Sequence, residues 1–78
     1  MTVGKNKPRT ESLTDREKEV LIHIADGKTS REIGIILGIS RKTADADRNN
    51  IKRTLGLNSI AALTRAAIEM GLVKISVL

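Results

Sequence analysis

The sequence has no cysteine and no aromatic residue, and only one proline among its 78 positions. Without cysteine, no disulfide or thiolate metal site can staple a small fold, a usage that fits a reducing compartment. Without Phe, Tyr or Trp there is no platform on which unpaired bases could stack, which disfavours a reader of single strands or RNA loops. Binding in the groove of a duplex carries no such requirement. Long apolar runs are also missing: nothing approaches the roughly 20 residues that cross a bilayer. The opening "MTVGKNKPRTES" has no apolar segment of a secretory signal. These absences lead us to expect a soluble cytoplasmic chain of one small, thinly cored domain that does not bind a membrane. Catalysis finds no support either. His23 is the only histidine, and there is no cysteine to join it in a ligand site. Asp45 and Asp47 point about 200° apart on a helix and cannot form a carboxylate pair or a metal clamp. No glycine loop that could cradle a phosphate is present. We therefore expect no enzyme, no cofactor and no metal.

What the chain does have is positive charge, with 14 Lys and Arg against 9 Asp and Glu, a net of +5. That balance favours a polyanionic partner. Residues 1–12 are polar and basic and read as a flexible arm or linker, leaving 13–78 as the domain. Its punctuation is dense. Thr14 and Glu17 have the spacing of a capping box, followed by Val20, Leu21 and Ile24 on one face and then by Gly27, so a helix is expected over about 15–26. Thr29 and Glu32 repeat the box before a short helix over about 30–37, with Ile33 and Leu37 inward and Gly38 as its stop. Ser40 caps a third helix over about 41–54 with Ala44, Ile51 and Leu55 on its inner stripe and Gly56 after it. Asn58 or Ser59 caps a fourth over about 59–70, ended by Gly71. The terminal "LVKISVL" can pack on the domain as a short extended tail. No strand pattern stands out, so the fold class is all-α, four short helices.

Two short helices joined through "LGIS", a glycine at the turn and a capped helix after it, make the helix-turn-helix pattern, whose second helix enters the major groove. A wider set of residues runs in register with it: Leu13-Thr14, Arg16-Glu17, Glu19-Val20-Leu21, Gly27, Glu32-Ile33, Leu37-Gly38-Ile39-Ser40, Lys42-Thr43, Arg48, Asn50-Ile51, Leu55-Gly56 and Gly71-Leu72. Over residues 13–73 the chain resembles the LuxR-type (NarL/FixJ- or GerE-type) helix-turn-helix domain. The resemblance implies a four-helix DNA-binding domain of bacterial transcription regulators. Such a domain often sits behind a receiver or ligand-binding regulatory domain and sometimes stands alone. It also implies that helix three reads double-stranded DNA and that helix four pairs two copies into a homodimer, here through Ala62, Arg65, Ala66, Glu69 and Met70. The base-contacting positions carry over to Asp45, Ala46 and Asn49. Asn49 could pair with adenine and the Ala46 methyl could touch a thymine methyl. Arg41, Lys42, Lys52 and Arg53 would meet phosphates, with Thr43 and Arg31 as weaker contacts. A sigma-factor region-4 domain shares the capped corner, but the extra helix "NSIAALTRAAIEM" favours the LuxR type.

The departures matter as much. At Asp45 the family often has lysine, and at Asp47 often histidine. Three roles stay open for Asp45: a pair within the helix with Arg41 or Arg48, a brake on phosphate affinity, or acceptance of a hydrogen bond from a cytosine amino group. Asp47, at the rim of the inner stripe, is expected to bond a neighbouring helix. Arg48 leans to the core edge and is expected to pair with Glu17 or Glu19. Ile22, Ile35, Ile60, Ala62 and Met70 stand where the family is usually polar, and Ile35 falls about 160° from Leu37, hence outward. These residues suggest an interaction surface. They also sustain a second reading, a protein-interaction module of the same fold with weakened DNA affinity.

Overall fold

Thr14 opens the first helix, accepting the Glu17 N–H on its Oγ1 at 3.0 Å while Glu17 Oε1 accepts the Thr14 N–H at 2.9 Å. Two of the amide donors that a helix start leaves unsatisfied are thereby paired. The computed structural model describes residues 12–74. The helix α1 runs Asp15–Ala25, α2 Ser30–Leu37, α3 Arg41–Leu55 and α4 Ile60–Glu69, within a residue of the expected bounds at every end. The described residues contain helices and turns and no strand. All but the last residue of the expected basic arm, and residues 75–78 of the expected tail, lie outside the described residues.

The starts of the other helices follow the same chemistry. Thr29 and Glu32 form the second reciprocal box, at 3.1 and 2.8 Å. The Thr29 backbone N–H holds the Glu32 carboxyl below its ordinary value of 4.5. Ser40 accepts the Thr43 N–H at 3.0 Å, and Ser59, not Asn58, accepts the Ala62 N–H at 3.1 Å. The helix ends also share one closure: the N–H of the residue after the turn bonds a carbonyl five positions back, as in Lys28 to His23, Ile39 to Gly34, Leu57 to Lys52 and Leu72 to Ala67. After α2, α3 and α4 that residue is apolar and packs on the core. After α1 it is Lys28.

The core is wholly aliphatic. Leu13, Val20, Leu21, Ile24, Ile33, Ala44, Ile51, Leu63 and Ala67 form one buried cluster, with Leu37, Ile39, Leu55, Leu57, Met70, Leu72 and Val73 packed around it. Burying each large side chain is worth roughly 1.5–3 kcal/mol. α1 lies between α4 and α3, and α2 packs on α3. The α2–α3 corner is tight for two reasons. Gly38 takes a left-handed φ of 72°, which an L side chain adopts only under strain. Gly34, one turn earlier, sits against the returning chain, so that a Cβ there would lie 2.7 Å from the Ile39 carbonyl oxygen and 3.3 Å from the Arg41 nitrogen. Both are backbone atoms and have little freedom to retreat. Gly34→Ala would raise helix propensity by up to about 1 kcal/mol, but the clash outweighs this. The expected net loss in urea unfolding is about 1–3 kcal/mol; a variant more stable than the parent would show that the corner opens freely.

Candidate nucleic-acid interface

The two sides of α3 differ sharply. Ala44, Asp47 and Ile51 are buried, while Lys42, Asp45, Ala46, Asn49 and Arg53 are exposed. The helix period places these five on the side opposite the buried stripe. Arg41 and Arg31 are exposed as well, and Lys52 is half-buried. Thr43 is half-buried, its hydroxyl oxygen accepting from Ser40 Oγ at 2.9 Å. Arg53 donates to Asn50 Oδ1 at 2.8 Å, one turn back. The Arg41 Nε and Asp45 Oδ2 stand 3.9 Å apart across one turn, both well exposed. That geometry matches one of the three roles left open for Asp45, the pair within the helix, and is worth a few tenths of a kcal/mol.

Asp47 does bond a neighbouring helix. Arg16 of α1 donates from Nη2 to Asp47 Oδ1 at 3.1 Å, and its Nε lies 3.0 Å from Oδ2. The second contact is Coulombic, because Oδ2 accepts no hydrogen bond. Asp47 is only 5% exposed, so the guanidinium is what makes a carboxylate tolerable at the α1–α3 boundary. The expected pairing of Arg48 with Glu17 or Glu19 is not what forms. The α1–α3 ion pair has the opposite polarity, base on α1 and acid on α3. Glu17 is committed to its cap, and Arg48 lies about 100° round α3 from Asp47. Arg48 is half-buried and lines a groove of about 630 Å³ bounded by Lys28, Arg31, Arg41, Asp45, Lys52 and Ile60 among others.

On α4, Ala62 is half-buried, Arg65 and Glu69 are exposed, and Met70 packs against the core. Ala66 is 4% exposed, so a partner would meet its neighbours more than Ala66 itself. Ile35 is 73% exposed, as its helix angle requires, and Ile36 and Ile60 are also exposed. Ile22 is half-buried. No cluster of potential metal ligands occurs among the described residues, and none of their helices is long and apolar enough to cross a membrane.

The luxR family of bacterial regulatory proteins matches residues 11–67. The chain belongs to that family. It is a LuxR-family DNA-binding domain of the transcription-regulator type, not an enzyme, and the sigma-factor alternative falls away. Similar curated proteins include the uncharacterized response regulatory protein YgeK of Escherichia coli K12, 48% identical over 59 residues, covering 76% of this chain and 40% of that protein. The transcriptional regulatory protein MctR of Rhizobium johnstonii is 39% identical over 64 residues, covering 82% and 30%. The transcriptional activator protein PhzR of Pseudomonas fluorescens is 38% identical over 58 residues, covering 74% and 24%. The chain thus matches less than half the length of each of these relatives. No solved structure matches it.

The reading of the sequence did not give three residues of this LuxR-family domain the places they take. Lys28 and Arg48 join the basic groove, and Arg16 pairs with Asp47. The signal for Lys28 was a lysine in a position that is apolar after the other three helices. Nothing in the spacing distinguished Arg16 from Arg48 as the partner across α1 and α3. Arg16→Ala leaves the Asp47 carboxylate buried without its cation, and we expect a loss of about 2–4 kcal/mol in chemical unfolding. Asp47→Leu in that background should recover part of it, and a single substitution that unfolds at the parent's midpoint would refute the brace.

Proposed function

We propose that this LuxR-family domain is the DNA-reading module of a bacterial transcription regulator acting in the cytoplasm, with α3 in the major groove of double-stranded DNA. The observation that supports it is the division of α3. One side is packed on the core, and the other presents Lys42, Asp45, Ala46, Asn49 and Arg53 to solvent. In this reading Ala46 and Asn49 meet base edges with Asp45 facing the duplex beside them, and Arg41, Lys42, Lys52 and Arg53 meet phosphates, assisted by Arg31 and Thr43. Two copies pair through the outward side of α4, around Ala62, Arg65 and Glu69, with the rims of Ala66 and Met70. The longer relatives, a response regulatory protein and a transcriptional activator among them, support a place in a larger protein governed by a receiver or ligand-binding domain.

A second reading, an interaction module with little DNA affinity, draws on the Arg41–Asp45 pair and on the exposed Ile35, Ile36 and Ile60. Titration of duplex DNA against salt separates the two. Four to six phosphate contacts per copy give a log–log slope of about −4 to −5, whereas a near-flat response favours the interaction module. Selection from random duplexes then yields the preferred site. Asp45→Lys should tighten binding to all duplexes by about tenfold, because it removes an acid and adds a cation facing the polyanion. Loss of the selected site alone would instead make Asp45 a base reader, and no change would leave it only the partner of Arg41. Sedimentation tests the pairing: dimers are expected on a dyad-symmetric site, and a single copy per site at high micromolar protein would exclude it.

A further inference from the structure

The contact between Arg16 and Asp47 differs from every other polar side-chain contact of the fold. Among the described residues, the remaining side-chain hydrogen bonds join groups three or four positions apart in the chain. The other two ion pairs lie within the turn after α1 and within α3. Arg16 and Asp47 stand 31 positions apart and tie one helix to another through polar groups. The place of the pair on α3 matters as well. From Arg41 to Asn49, the half of the helix that carries Asp45, Ala46 and Asn49, the buried residues are Ala44 and Asp47. The buried Ile51 and the half-buried Leu55 lie farther along. The buried apolar hold on the first half of α3 is thus one methyl group, which sets little direction. Free energy alone does not account for an acid at position 47. Exchanging a buried ion pair for apolar side chains of similar volume is often neutral or stabilising.

We infer that Arg16 is a positioning residue for DNA reading, which through Asp47 holds the rotation of α3 and thereby the preference for one duplex over another. The inference rests on the DNA-reading function proposed above and assigns part of its selectivity to a side chain outside the reading helix. Side-chain ends ride about 6 Å from a helix axis, so a turn of about 10° carries them about 1 Å. A hydrogen bond to a base edge holds within a window of about 0.5 Å. Asn49 and Ala46 therefore lose their contacts on a small rotation, whereas the long, flexible Lys and Arg side chains that meet phosphates follow it. General affinity for duplex DNA, which depends on charge, stays as it is.

The test compares the parent chain with Arg16→Met/Asp47→Leu and with Arg16→Lys. Each is titrated by fluorescence anisotropy with the selected duplex and a random duplex across a range of salt. The double substitution removes one charge of each sign, so the net charge stays at +5, and methionine keeps an unbranched stem at position 16. Circular dichroism and melting establish folding, and the double variant is expected to melt close to the parent or above it. Its binding to the random duplex and its log–log salt slope should match the parent, while its preference for the selected duplex falls about tenfold, the worth of one good base contact. Arg16→Lys keeps the charge without the fixed fork of donors and should lose part of that preference, roughly threefold. Unchanged preference in the folded double variant, or in Arg16→Lys should the double variant not fold, makes the pair a structural support only and overturns the inference. Equal weakening on both duplexes with a shallower slope makes Arg16 a phosphate contact and overturns it too. In both cases the DNA-reading function stands. A parent that binds no duplex, or prefers none, overturns that function and the inference with it.

Discussion

The seating of α3 by Ala44, Asp47 and Ile51 is the constraint from which the rest of the molecule's outward chemistry follows. Ala44 and Ile51 are fully buried in the aliphatic cluster, and the Arg16 guanidinium holds Asp47 from α1. Once that stripe is fixed, the helical period decides which residues meet solvent and which meet the flanking groove. An apolar contact alone tolerates some rotation of the helix. The hydrogen bond from the Arg16 guanidinium to Asp47 Oδ1 tolerates less, so the pair adds direction to what the aliphatic packing supplies in free energy.

The corner before α3 completes the positioning. Gly34 lets the returning chain pass close to α2, with the Ile39 carbonyl where a Cβ would otherwise stand. Ile39 then turns inward and Ser40 caps the next helix. The corner thus sets where α3 begins, and the buried stripe sets how it is rotated. A core without aromatic side chains suits this arrangement: small residues such as Ala44 and Ala67 leave room for helices that are only two to four turns long to approach closely.

Electrostatics divides the surface of α3 into two bands. The outward band mixes Lys42 and Arg53 with Asp45, Ala46 and Asn49, so its net charge is small and its chemical variety is high. The flanking band, Arg41, Arg48 and Lys52 with Lys28 and Arg31 opposite, is almost purely cationic. Contacts that distinguish bases need varied donors and acceptors, and contacts that only hold a backbone need charge. Asp45 lies where the bands meet. Five cations surround the groove that it borders, so this acid leaves the local charge positive.

Much of this was legible in the sequence by itself. The four helices, their caps, the glycine turns, the membership of the LuxR family and the outward set on α3 all depend on interactions within about five residues of one another, which spacing records directly. The outward Ile35 belongs to the same class of local geometry, whereas the choice of Ser59 over Asn58 as the cap of α4 was left to the structure. The Arg16–Asp47 pair was only half legible: the helix period put Asp47 at the rim, but its partner lies 31 positions away in the chain. Arg48 was read toward the wrong neighbour for the same reason. The groove required the tertiary structure altogether, because Lys28, Arg31 and Arg48 share no local pattern. They meet only because α1 packs on α3 and α2 crosses it, which brings a turn, a helix start and a helix flank around one space.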